Sequence, residues 1–268
     1  MRALGLMCGT GSLPARMAAQ ARRQGWRIVA FTFPGAIDLG AGADAVIPSR
    51  IDAMGPVVAA LSREGVSAML FSGKFWMTDL LAANETDAAH ATMATRAGAL
   101  LDGNIAQAII ATLDGLGIEL LDQRPFLGEG LGAPRGWSAR APAEAEWSDI
   151  RRGLAVARLN ADASVGQTVV VRRGAVSAVE AIEGTSETIR RGTTLSGPGA
   201  VVVKATARDH DFRFDTPAIG PDTLDAAAAG GATAVAVEAG GVLILEPETT
   251  IRRADAAGIA LVSVDDDG

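Results

Sequence analysis

Short apolar runs recur through the first half of the chain, separated by stretches with helical spacing. Ala3–Cys8, Arg27–Phe33, Ala45–Ile47 and Ser67–Ser72 read as strands, whereas Ala15–Gln24 and Ile51–Arg63, followed by Gly25 and Gly65, read as helices. Strands and helices alternating at this spacing predict βαβ units, and hence a parallel sheet with helices on both faces. The run Ala68-Met69-Leu70-Phe71 lacks polar alternation, as a strand covered on both sides requires. Helical pattern returns over Ala88–Leu116 with a break at Leu101-Asp102-Gly103, and a strand follows at Ile118–Leu121.

Between Pro125 and Pro142 the periodicity lapses. Gly128, Gly130, Gly132, Pro134 and Gly136 mark a connection, so the chain divides into residues 1–133 and 134–268. Beyond it, Ile150–Leu159 is helical, and Gln167–Arg172 and Ala175–Ile182 flank Arg173-Gly174 as a hairpin. Strands are expected at Ala200–Lys204, Ala234–Val237, Val242–Leu245 and Ala260–Val262, and helices at Pro221–Ala229 and Thr249–Ala257. The expected fold class is α/β: an N-terminal Rossmann-like parallel-sheet domain followed by a C-terminal mixed α/β (α+β) domain.

Composition narrows the function classes. The 268 residues are 49% hydrophobic, enough to bury a core and exclude disorder as the main state. With 24 basic and 31 acidic residues the net charge is −7, which argues against a general nucleic-acid binder. A single Cys makes no internal disulfide and fits a reducing compartment. Apolar runs are too short to span a membrane, and Ala3–Cys8 is too short for a signal peptide. The expectation is a cytoplasmic protein able to touch a membrane surface.

Several clusters are rich in chemistry. Gly9-Thr10-Gly11-Ser12-Leu13-Pro14 lies where the first strand turns into the first helix. Such a turn either brings backbone N–H groups to a phosphate or is a plain tight connection. Pro14 stands where a dinucleotide fingerprint has its third glycine, which counts against an oxidoreductase. Lys74 follows the Ser67–Ser72 strand and would sit at its carboxyl end beside that turn. Glu180 interrupts an apolar run and needs a partner or a metal. Thr185 or Ser186 would cap a helix reaching Arg191. At extended spacing Asp209, Asp211, Arg213 and Asp215 share one face, either as a charged strand edge or as carboxylates suited to Mg²⁺. A P-loop, a nucleophile elbow and a zinc-type His/Cys cluster are all missing from the sequence.

Taken in order, these segments resemble one family. Leu4–Pro14, Gly166-Gln167, Val179–Thr185, Arg213–Pro221, Ala236–Gly240 and Arg253–Gly258 together are similar to the LpxI-type UDP-2,3-diacylglucosamine pyrophosphatases over nearly the full length. The resemblance implies hydrolysis of the pyrophosphate of UDP-2,3-diacylglucosamine to UMP and 2,3-diacylglucosamine 1-phosphate (lipid X), on the route to lipid A. It further implies a divalent metal, Mg²⁺ or Mn²⁺, a substrate held between two domains, a homodimer, and peripheral contact with the inner membrane. On that reading Asp215 is the principal catalytic carboxylate or metal ligand, with Glu183 and Asp211 as its helpers: both as metal ligands, and Glu183 also as a catalytic group. Lys204 and Arg213 would neutralise the diphosphate. Gly9, Gly11, Ser12 and Lys74 would address the nucleotide or pyrophosphate, and Gln167 and Thr185 would bond phosphate or sugar. Phe75, Trp76 and Phe126 either receive acyl chains or pack in the core.

The sequence departs from the family pattern at Ser186, where Asp is usual, and at Ala207-Arg208, where Lys-Pro is usual. It also has His210-Asp211 in place of Gln-Asp. These departures motivate the alternative of a non-catalytic or substrate-shifted nucleotide-sugar or lipid-binding relative.

Overall fold

The apolar runs of the N-terminal half form β1 (Ala3–Cys8), β2 (Arg27–Thr32), β3 (Ala45–Pro48), β4 (Val66–Ser72) and β5 (Glu119–Leu120). They make one sheet in the order β3-β2-β1-β4-β5, parallel at every pairing. The computed structural model describes residues 1–75, 87–97 and 102–265. It divides into one unit of Met1–Gly128 with Asp211–Asp215, and a second of Glu129–His210 with Thr216–Gly268.

In the first unit the described helices are α1 (Leu13–Arg23), α2 (Gly55–Arg63), α3 (Ala88–Ala97) and α4 (Asp102–Gly115). Met7, Val29, Phe31 and Met69 pack on one face of the sheet with Val57, Ala60 and Leu61 of α2 and Leu113 of α4. By the strand alternation, Leu4, Leu6 and Cys8 face the other way. All three are fully buried, as is Met17 of α1. Strand order reverses between β1 and β4, and the crevice beyond the carboxyl ends at such a reversal is where open α/β sheets bind ligands. Helix α2 begins at Gly55 rather than Ile51. The Asp87 carboxylate accepts the Gly55 N–H at 2.6 Å and Pro56 fills the first turn, so the preceding residues remain a turn.

The second unit contains β6 (Arg135–Gly136), α5 (Glu144–Asp162), β7 (Thr168–Arg172), β8 (Ala175–Val179), α6 (Thr185–Ser196), β9 (Val201–Lys204), β10 (Ala218–Ile219), α7 (Pro221–Ala229), β11 (Ala234–Glu238), β12 (Leu243–Ile244), α8 (Pro247–Ala256) and β13 (Ala260–Val264). The main sheet runs β6-β13-β11-β9-β7-β8. Its centre, β13-β11-β9, is parallel, while the β7–β8 hairpin and the β6 edge are antiparallel. Val169, Val201, Val203 and Ala236 pack against Ile150, Leu154 and Ala157 of α5. Val170, Val202, Val235 and Val237 pack on the other side, against Ile189 of α6, Leu224 of α7 and Ala254 of α8. The C-terminal half is therefore a mixed sheet between helical layers, as its pattern predicts. At the hairpin turn Arg173 and Gly174 both take positive φ, 52° and 77°, the twist that suits a two-residue hairpin. The Asp149 carboxylate of α5 accepts both of their N–H groups, at 2.8 and 2.6 Å.

Two local expectations change. β8 ends at Val179 rather than Ile182, so strand alternation does not govern Glu180 and Glu183. Helix α6 runs through Gly192 to Ser196 instead of stopping at Arg191. Among the described residues no helix is long and apolar enough to cross a membrane.

Candidate active site

In the first unit, the loops leaving β1 and β4 are bonded to each other. Gly9 N–H donates to the Ser72 carbonyl at 2.8 Å, and Thr10 and Lys74 exchange backbone bonds of 3.0 and 2.9 Å. A Cβ on Gly9 would stand 2.5 Å from the Lys74 carbonyl oxygen, so glycine is needed for this approach. Gly11 has φ +93° with nothing near its Cβ direction, and Ser12 enters α1 without a side-chain capping bond. The structure thus brings Gly9, Gly11, Ser12 and Lys74 together at the switch point. Ser72 Oγ, buried at 2% exposure, has no hydrogen-bond partner among the described residues. Cys8 is core: burial pushes its thiol up to about 12, far from a nucleophile's range.

The same unit holds the segment 211–215, although it comes from the C-terminal half of the chain. Gln123, just after β5, donates its N–H to the Phe212 carbonyl at 3.0 Å and its Nε2 to the Arg213 carbonyl at 3.3 Å. Arg124 stacks over the Phe212 ring at 4.8 Å, and Phe214 lies 5.9 Å from Phe71, near the end of β4. The segment is a series of turns, with Phe214 N–H bonded to the Asp211 carbonyl at 3.1 Å. The expected extended strand with four charges on one face is therefore not formed. Instead Asp211 and Arg213 pair with each other, Nε to Oδ1 at 2.9 Å and Nη2 to Oδ2 at 2.7 Å. This bond raises the Arg213 guanidinium further above its already high range. Asp215 is exposed. Phe75 packs edge-on against Phe33 and Phe71, with centroids 5.3 and 6.1 Å apart, and Phe126 is buried. Both are core residues; Trp76 lies outside the described residues.

The second unit builds a polar cluster at the carboxyl end of β9. Lys204, 6% exposed, donates from Nζ to Thr185 Oγ1 at 2.9 Å. Thr185 donates in turn to Glu180 Oε1 at 3.0 Å, and the Gln167 N–H approaches Glu180 Oε2 at 3.3 Å. Register explains the meeting: Thr168 of β7 pairs with Lys204 of β9, which places Gln167 and Glu180 beside the lysine. Burial works to raise the Glu180 carboxyl. The Lys204 charge and the bonds from Thr168, Thr185 and Gln167 outweigh it and hold Glu180 below the usual carboxylate range. The structure thus joins Gln167, Thr185 and Lys204 and adds Glu180. The N-cap of α6 is Gly184, at φ 82°, with no side-chain cap, so neither Thr185 nor Ser186 caps this helix.

Glu183 accepts from Arg191 Nη2 at 2.5 Å, Thr188 Oγ1 at 3.1 Å and Ala181 N at 3.1 Å. Burial opposes ionisation there, but these donors hold the carboxyl below its ordinary value. Of the three expected metal ligands, Asp211 and Glu183 already face guanidinium groups, while Asp215 is exposed. Among the described residues no group of three or more His, Cys, Asp or Glu side chains stands together as an ion cage. Mg²⁺ does not require one, because it typically binds through one or two carboxylates plus substrate phosphate.

A half-buried ion pair lies at the ends of β9 and β11. Glu238 accepts from Arg158 Nε at 2.7 Å and from the N–H and Oγ1 of Thr206, both at 2.7 Å. Arg158 and Thr206 were not singled out by the sequence, since an arginine on a helix and a threonine after a strand carry no signature of their own.

Residues 3–129 match the family model described as LpxI N-terminal domain, and residues 134–262 match LpxI C-terminal domain. A curated relative from Caulobacter vibrioides, UDP-2,3-diacylglucosamine pyrophosphatase LpxI, is 31% identical over 287 residues, covering 99% of this chain and 98% of the relative. Among solved structures, CobK precorrin-6A reductase aligns over 99% of this chain and 88% of its own length, with 14% identity and a TM-score of 0.35, too distant to carry an argument.

Proposed function

The chain belongs to the LpxI family, and on that premise we propose that it is a metal-dependent UDP-2,3-diacylglucosamine pyrophosphatase of lipid A synthesis, releasing UMP and 2,3-diacylglucosamine 1-phosphate. The observation that carries this reading is the match of both family domains, in order, together with 31% identity to the Caulobacter enzyme across 99% of the chain.

A diphosphate diester resists water because its negative oxygens repel a nucleophile. Lys204 and Arg213 supply the opposing charge, each held by a carboxylate network that fixes its direction. Asp215 orients water and accepts its proton as the water oxygen bonds to one phosphorus. The bridging P–O bond breaks, and its electron pair leaves on the other phosphate. Mg²⁺ or Mn²⁺, bound by Asp215, would supply further charge neutralisation. Gly9, Gly11, Ser12 and Lys74 address a phosphate of the nucleotide, where the uncapped start of α1 favours an anion. On this reading the enzyme works in the cytoplasm, in transient contact with the inner-membrane surface where a diacylated substrate resides. A homodimer follows from the family resemblance, and vesicle flotation and sedimentation velocity check these two points.

The test is direct. Purified protein with Mg²⁺ should release UMP from UDP-2,3-diacylglucosamine, lose this activity in EDTA, and regain it with Mg²⁺ or Mn²⁺. Asp215→Ala should abolish release while substrate binding persists. Tight binding of the nucleotide sugar by wild-type protein with no product after long incubation would instead establish the non-catalytic relative, which Ser186 and Ala207-Arg208 motivate.

A further inference from the structure

The sequence contains two lysines, Lys74 and Lys204; every other one of its 24 basic residues is arginine. An ammonium is a compact charge with three rotatable donors on a flexible stem, so it acts well only where something fixes its direction. At Lys204 that fixation is visible. Thr185 has one hydroxyl proton, and the ionised Glu180 carboxylate can only accept. The proton therefore points at Glu180, at 3.0 Å, and a lone pair of the same oxygen takes a Lys204 N–H at 2.9 Å. The bonds run one way, Lys204 to Thr185 to Glu180.

Glu180 is itself immobilised. Its carbonyl accepts Asn160 Nδ2 at 2.9 Å, its N–H donates to Thr168 at 2.8 Å, and Gly166 packs so closely that a Cβ there would stand 2.4 Å from the Glu180 oxygen. Within this arrangement the Thr185 hydroxyl has no proton left for a substrate oxygen, and Lys204 keeps two further N–H groups.

We infer that Glu180 is a positioning residue that acts through Thr185 to aim the Lys204 ammonium, and that Thr185 is the relay rather than a donor to substrate. The role assigned to the aimed ammonium rests on the proposal that Lys204 meets the diphosphate.

Two measurements on the full-length protein test the inference. In steady-state kinetics, Glu180→Gln and Thr185→Val should each lower kcat about tenfold or more with KM changed less than about threefold, while Thr185→Ser stays within about threefold of wild type. Adding Glu180→Gln to Lys204→Met should cost no more than about twofold further, because a residue acting through Lys204 has nothing left to aim. Fully multiplicative losses, or Thr185→Ser as damaged as Thr185→Val, would overturn it. The second measurement needs no turnover. Protein labelled with ¹⁵Nζ-lysine has two side-chain resonances, and Thr185→Val or Glu180→Gln should move the Lys204 signal toward that of exposed Lys74. An unmoved Lys204 signal in both variants, folded by circular dichroism, overturns the inference. Wild-type protein that fails to turn over the diacylated UDP-sugar yet shows the shift defeats the proposed reaction and leaves the relay standing.

Discussion

Gly73 presses against Thr10: a Cβ on Gly73 would stand 2.6 Å from the Thr10 carbonyl oxygen, and the glycine already holds φ +80°. Both facts follow from two loops that must cross at the carboxyl ends of β1 and β4. The clashing atom is backbone, so no side chain can yield to relieve it. Gly73→Ala should therefore lower stability by about 1–3 kcal/mol and move the urea midpoint down. Gly11→Ala, which faces open space at φ +93°, should cost less because it carries only the backbone strain. Equal losses at the two positions would show that the crossing is not what Gly73 serves.

Lys204 tests whether charge or shape matters at the end of β9. Its side chain is 6% exposed and bonded to Thr185 at 2.9 Å, so the longer planar fork of arginine must displace packed neighbours. Lys204→Arg keeps the charge, yet kcat should fall about tenfold or more. Stability should drop by about 1–3 kcal/mol from overpacking. Initial rates of UMP release and denaturant melts measure the two losses separately.

Much of this architecture was legible in the sequence because it depends on local pattern. β1 and α7 occupy Ala3–Cys8 and Pro221–Ala229 as their apolar spacing and flanking Gly and Pro residues require. What was not legible depends on contacts distant in sequence. The helix expected to reach Arg191 continues through Gly192 to Ser196, and glycine lets it lie close on the sheet, since a Cβ at Gly192 would meet Val170 at 2.6 Å. At extended spacing Asp209, Asp211, Arg213 and Asp215 would share one face, but Gln123 and Phe71 hold 211–215 as turns within the first unit. Glu180 could be marked as needing a partner, but only the β7–β9 register reveals that the partner is Lys204 by way of Thr185.

Glu146 gives a stability prediction with a definite sign. Its carboxylate accepts Arg140 Nη2 at 2.7 Å and reaches back to the Ala143 N–H at 2.7 Å, starting α5. Burial works to raise this carboxyl, but Arg140, Thr233 and the Ala143 N–H together hold it below its ordinary value of 4.5. A folded-state pKa below the unfolded one contributes stability that is present above the unfolded value and lost as pH falls through the folded one. Glu146→Gln should therefore lower the urea midpoint at pH 7, with the gap from wild type closing as pH drops below 4.5. A gap that persists unchanged into acid would assign the loss to geometry instead of charge.

Asp211 separates two roles that the sequence left merged. Each of its carboxylate oxygens faces Arg213, at 2.9 Å to Nε and 2.7 Å to Nη2, so its present work is to hold a guanidinium. A carboxylate used this way contributes to the reaction through Arg213, whereas a metal ligand contributes through the ion. Asp211→Asn should lower kcat by about three- to tenfold, and raising Mg²⁺ should not restore it. Asp215→Asn, at the exposed carboxylate proposed to hold the ion, should lose far more and shift the Mg²⁺ dependence of the remaining rate to higher concentration. Recovery of Asp211→Asn by excess Mg²⁺ would return Asp211 to the metal and require its bond to Arg213 to open during turnover.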